Sequence, residues 1–105
     1  MAQFDVYENK NPNTKKQIPY LLDVQNDLLS GLGSTVVIPI CPSAETKHLI
    51  MSRLTPHVEI NGSAFIILTP QLASIHRKEL GEIVVNVFSY SQEIIDALDF
   101  LMTGI

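Results

Sequence analysis

Val58-Glu59-Ile60-Asn61-Gly62-Ser63-Ala64-Phe65 sets two apolar-rich arms on either side of Asn-Gly. That dipeptide supplies the two positive-φ positions of a type I′ turn, whose twist matches the strands it joins. A chain with this signal builds antiparallel sheet, and the second arm continues through Ile66, Ile67 and Leu68. Other runs read the same way. Residues 3–8 alternate, with Phe4, Val6 and Glu8 on one side and Asp5 and Tyr7 on the other. Tyr20-Leu21-Leu22-Asp23-Val24 is a second strand, and residues 83–88 form another β-rich run. Residues 35–40 are β-branched almost throughout, which suits a pleated surface. Pro39 near the end of that run predicts an edge or a bend.

Between the strands lie polar or flexible stretches. Residues 9–17 form a polar loop with a proline, and residues 30–34 are turn material. Residues 43–54 are ambiguous: Ser43 is a candidate cap for a short helix with Leu49, Ile50 and Leu54 on one side. Residues 69–82 are mixed. The C-terminal end is helical, with Ile94, Ile95, Leu98, Leu101, Met102 and Ile105 at helical spacing. Ser89 with Gln92 predicts a capping box. Glu93 and Asp96 lie near the positive end of the helix dipole, and Gly104 is the expected left-handed stop. Strands first and one good helix last predict an antiparallel sheet or small barrel with the helix packed on it. The length suits a single domain over residues 1–105.

Charged residues make up 17% of the chain, against about 25% in an average domain. So little charge leaves apolar surface that an oligomer or partner would cover. The net charge of −4 argues against a protein that grips nucleic-acid phosphates directly. Lys15-Lys16 and Arg77-Lys78 are small clusters and read as solvated surface charge. The one cysteine, Cys41, cannot form a disulfide within the chain and reads as a buried, inert thiol in a reducing compartment. The start, Met1-Ala2-Gln3-Phe4-Asp5, lacks the basic and apolar regions of a signal peptide. No apolar run approaches the roughly 20 residues of a membrane span. A soluble, cytoplasmic protein is expected.

Chemistry is sparse. His48, His57 and His76 are scattered without metal-ligand spacing, so neither a metal nor another cofactor is expected. There is no phosphate-binding loop and no nucleophile elbow, and no catalytic residue is assigned. Arg53 is the residue to watch for a ribonuclease, against its plainer reading as a structural ion pair. The sequence ends on an apolar residue after an amphipathic helix. Ile105 either docks into its own core or projects into a partner's cleft.

Several short motifs occur together: Gln3-Phe4-x-Val6-Tyr7, Asp23-Val24-Gln25-x-Asp27, Val37-Ile38-Pro39, Pro56-x-Val58-x-Ile60, Ala73-Ser74, Gly81-Glu82 and Gly104-Ile105. Their order and spacing resemble the CcdB family of gyrase-poisoning toxins over essentially the whole chain. The resemblance implies an SH3-like barrel of antiparallel strands, mainly β, with a small second sheet and a long C-terminal helix. It implies a non-enzymatic toxin of a type II toxin–antitoxin system. Its homodimer would bind the DNA gyrase A subunit and trap the gyrase–DNA cleavage complex, inhibited by a cognate CcdA-like antitoxin with a disordered acidic segment. By position, the gyrase-facing residues would be Asn26, Leu28, Leu29, Asp99, Met102, Thr103, Gly104 and Ile105. Leu28 and Leu29 read equally well as ordinary core. The antitoxin would touch Glu8, Asn9, Lys10 and Asn11. The chain departs from better-known members at Thr103, where they carry tryptophan, and its first loop is longer. Two alternatives stay open: a ribonuclease toxin of the related MazF/Kid type, and an inactive member that only binds antitoxin.

Overall fold

The structure, a computed structural model, describes residues 2–45 and 50–104. Among the described residues seven strands and one α-helix follow in order: β1 Asp5–Asn9, β2 Tyr20–Asp23, β3 Ser34–Pro42, β4 His57–Ile60, β5 Ser63–Ile67, β6 Ala73–His76, β7 Leu80–Asn86 and α1 Ser91–Thr103. They form an antiparallel half-barrel with the helix last. The sheet runs β4-β5-β3-β2-β1-β7, and β6 also pairs with β3. The β4–β5 hairpin and β6 are both joined to the rest through β3.

β3 explains this connectivity. One edge pairs with β2 from Tyr20↔Ile40 to Asp23↔Val37. Its other edge changes partner, with β6 facing Ser34 to Val37 and β5 facing Ile40 to Pro42. Pro39 sits within the strand, not at its end. Its carbonyl accepts from Leu68 N–H on the edge where β6 and β5 give way to each other. The missing N–H of Pro39 points the same way, into that gap, so no ladder bond is lost.

The Asn-Gly hairpin forms as expected: Asn61 has φ 52°, Gly62 has φ 83°, and Ile60 faces Ser63. β1 is less regular than its alternation implies. Asp5, Val6, Tyr7 and Asn9 are all buried and only Glu8 is exposed. It lies between β2 and β7, and its register against β7 shifts on both sides of Tyr7. Such bulges curl a sheet. Gly81 lets the two strands approach, because a Cβ there would lie 2.7 Å from the Glu8 carbonyl oxygen.

Curling gives the sheet two apolar faces. Phe4, Val6, Leu22, Ile38, Ile40, Ile60 and Ile67 pack with Ile94 of α1 in the main core. Tyr7, Val37 and Leu80 form a smaller cluster, with Leu21 and Ile75 packed against it. Cys41 is buried with Ile66 and Leu68, and burial pushes its thiol pKa up, as an inert thiol requires. α1 starts at Ser91 behind a 3₁₀ turn, Phe88–Tyr90. The expected capping box is not made, since Tyr90 is the N-cap without a side-chain cap bond and Gln92 donates to Asp96 instead. Gly104 closes the helix at φ 73°. In the ambiguous segment Ser43–Glu45 forms a 3₁₀ turn, while Leu49 lies outside the described residues.

Candidate functional site

The connection from β2 to β3 presents Leu28 and Leu29. Asn26 Oδ1 accepts from Leu28 N–H at 2.8 Å, and Leu29 N–H returns to the Asn26 carbonyl at 2.9 Å. This caps a 3₁₀ turn, Asp27–Leu29, with the leucines outward: Leu28 is 91% exposed and Leu29 47%. Neither leucine is core. The Asp23-Val24-Gln25-x-Asp27 motif is the scaffold of this connection. Asp23 Oδ1 accepts from Gln25 N–H and Thr35 Oγ1. Gln25 Nε2 donates to the Leu29 and Ser34 carbonyls, and Asp27 Oδ1 accepts from Gln3 N–H. Phe4, next to Gln3, is held at φ 73°, a strained value for a bulky residue. Its buried ring and its bonds to Asp23 and Val87 keep it there.

The end of α1 brings Asp99, Met102, Thr103 and Gly104 together. Met102 is 77% exposed. Thr103 Oγ1 donates to the Asp99 carbonyl at 2.7 Å, and Gly104 N–H donates to the Phe100 carbonyl at 2.9 Å. Thr103 therefore tightens the last turn. The expected role of Ile105 falls outside the described residues. α1 rests on the Thr69–Gln71 and Phe88–Tyr90 turns.

A groove of about 500 Å³ lies beside the connection from β1 to β2. Ile18, Leu21 and Ile75 supply its apolar lining, and Lys10, Asn11, Lys78 and Glu79 its polar one. It opens where Leu21 and Ile75 cover the smaller cluster, on the face away from Ile94 and the main core. Lys10 Nζ donates to the Lys78 carbonyl at 3.0 Å and fixes one wall. Of the four residues expected to meet an antitoxin, Asn9, Lys10 and Asn11 line the groove, and Glu8 is exposed outside that lining. Asn9 is buried, and both its side-chain N–H groups are engaged, with Thr14 Oγ1 and the Ile18 carbonyl. It shapes the loop, while Lys10 and Asn11 stand exposed at the groove.

A second cavity, of about 470 Å³, is lined by Arg53 and His57 together with Glu93, Asp96 and Asp99 of α1. The Arg53 guanidinium lies 4.0 Å over the Phe100 ring, a cation–π contact beyond the ion pair expected of it. The carboxylates beside Arg53 and His57 oppose a phosphate backbone. Among the described residues no group of three or more His, Cys, Asp or Glu side chains is placed to hold a metal ion. Among them, too, no helix is long and apolar enough to cross a membrane.

Arg77 is the residue that sequence reasoning missed. Read as half of a solvated basic pair, it is instead mostly buried, with its side chain 15% exposed and Nη1 3.7 Å from Asp23 Oδ2. No local signal marks it, because its partners lie far away along the chain.

The described residues thus form a curled antiparallel half-barrel with one C-terminal helix. Solved structures of like shape include an endoribonuclease in complex with its cognate antitoxin from a mycobacterial species, at 12% identity and TM-score 0.77 over 97% of this chain and 94% of that one. Another is an endoribonuclease from a mycobacterial species, at 12% identity and TM-score 0.76 over 97% and 90%. At such identity the likeness is one of fold. The family model for CcdB protein matches residues 3–104, and the chain belongs to the CcdB family of toxins.

Proposed function

We propose that a cytoplasmic homodimer of this chain binds the DNA gyrase A subunit and traps the gyrase–DNA cleavage complex without covalent chemistry. The observation that carries this reading is the exposure of Leu28 and Met102 on a capped turn and a helix end. Burying such a side chain in a partner yields about 1.5–3 kcal/mol. Asn26, Leu29, Asp99, Thr103 and Gly104 would join them, and Ile105 is expected to do so by its position in the sequence. A ligand that fits one state of a cycling enzyme shifts the population toward it, so binding alone stalls the cycle. A twofold toxin matches a twofold target, with the same patch used twice. The cognate antitoxin then occupies the groove, an acidic segment meeting Lys10 and Lys78 while an apolar side chain reaches Leu21 and Ile75.

The test is a cleavage assay with purified gyrase and supercoiled DNA. Cleaved DNA accumulates with the full chain. It disappears when Gly104 and Ile105 are deleted, while circular dichroism and the dimer stay unchanged. Absence of cleaved DNA at micromolar toxin sinks the reading.

A ribonuclease is the second reading, favoured by the endoribonucleases of like fold and by Arg53 and His57 at one cavity. The carboxylates there weigh against it. Fragmentation of added RNA without gyrase, lost in Arg53→Ala, would establish it instead.

A further inference from the structure

The 26–33 segment asks for a restraint. It includes Ser30-Gly31-Leu32-Gly33 and exposes three leucines, Leu28, Leu29 and Leu32. Neither Gly31 nor Gly33 has anything within 4 Å of where a Cβ would stand. A glycine-bearing segment with so little packing samples many conformations, and ordering it on binding weakens the complex.

Arg77 supplies that restraint from across the sheet. Its backbone N–H donates to the Gly33 carbonyl at 2.9 Å. Its Nε donates to the Leu32 carbonyl at 2.7 Å, and Nη2 reaches the Leu29 carbonyl at 3.5 Å. The remaining arm faces Asp23, itself fixed by Thr35 and Gln25. One planar fork thus links three backbone carbonyls of the segment, with the help of its own N–H, to a buried carboxylate at the end of β2. A lysine at the same place would keep the charge beside Asp23 but not the forked geometry.

We propose that Arg77 is a positioning residue for target binding: it holds the 26–33 segment in the shape that presents Leu28 and Leu29. This rests on the gyrase reading above and names a residue through which the same surface works. Arg77 touches no target itself and acts through Leu28.

The experiment is a double-mutant cycle on the dimeric toxin, with affinity for the gyrase A subunit as one readout and amide hydrogen exchange as the other. Arg77→Lys is the main variant, because it retains a cation for Asp23; Arg77→Gln is the harsher one. Arg77→Lys weakens gyrase binding about tenfold in the wild-type background and far less in Leu28→Ala, since the shared route is already lost. Exchange rises at the Ser30 and Leu32 amides and stays level at Ile38 and Ile40. Additive losses in the cycle, unchanged loop exchange, or exchange rising equally in β3 would each overturn the assignment. A wild-type toxin that binds no gyrase, with exchange behaving as described, would remove the target reading and leave the hold of Arg77 on the segment standing.

Discussion

The connections flanking β2 make an instructive pair. Each joins neighbouring antiparallel strands through polar residues, and each is stabilised by Asn side chains bonding to nearby backbone. The 10–19 connection folds down, through Asn9, Thr14 and the Ile18 carbonyl, onto the apolar surface of Leu21 and Ile75. The 24–33 connection lifts away, and its leucines face water. One result is concave with a basic rim, the other convex with an apolar tip. On the function proposed above, capture by one partner and insertion into another would use one shape each. The difference lies in what each loop finds beneath it, since the turn chemistry is much alike.

Breaking the concave side has the largest expected effect. In Gly81→Ala the new Cβ meets the Glu8 backbone, so β7 must move off β1 where the 10–19 connection begins. Urea unfolding should show a loss of about 2 kcal/mol or more. Antitoxin binding should weaken with it, while exchange at Leu29 and Ser30 stays as in the wild type. Equal loosening of both connections would show that they are not separate units.

Next in size is Leu28→Asp, which charges the convex tip. Gyrase binding should drop at least about tenfold, with melting temperature and antitoxin affinity unchanged. Its counterpart, Lys78→Glu, should weaken binding of an acidic antitoxin segment several-fold, an effect that fades as salt rises, and leave gyrase binding alone. If either substitution affected both partners alike, the two surfaces would have to overlap.

The smallest effect at neutral pH belongs to Tyr7→Phe, beneath the groove. Burial, then the charges of Asp5 and Asp23, push the Tyr7 hydroxyl pKa from 10.0 up to about 12, with Arg77 opposing. The folded protein therefore keeps a proton that the unfolded chain loses above pH 10. Stability from this group is intact below about pH 10 and falls toward pH 12, by up to about 1.4 kcal/mol per pH unit. Wild type should lose stability across that range faster than Tyr7→Phe, as read from urea midpoints; parallel curves would show that Tyr7 is not desolvated.

The sequence by itself determined what short-range chemistry determines. Asn61-Gly62 has one favourable turn, β-branched runs prefer pleated sheet, and a helical apolar stripe before Gly104 has one helical reading. These gave the other strands, the hairpin and the terminal helix but not β6, which lies in the stretch read as mixed, and the family motifs gave the region where Leu28 projects. Only tertiary structure decided the rest. β6 pairs with a strand nearly forty residues earlier, Pro39 is tolerated because two partners change over beside it, and Arg77 reaches the Leu32 carbonyl 45 residues away. Leu28 and Leu21 look alike in the sequence, yet one stands in water and the other lines a groove. Local propensities act over a few residues, whereas a groove or a clasp exists only once distant segments have met, and burial is settled by what each segment meets.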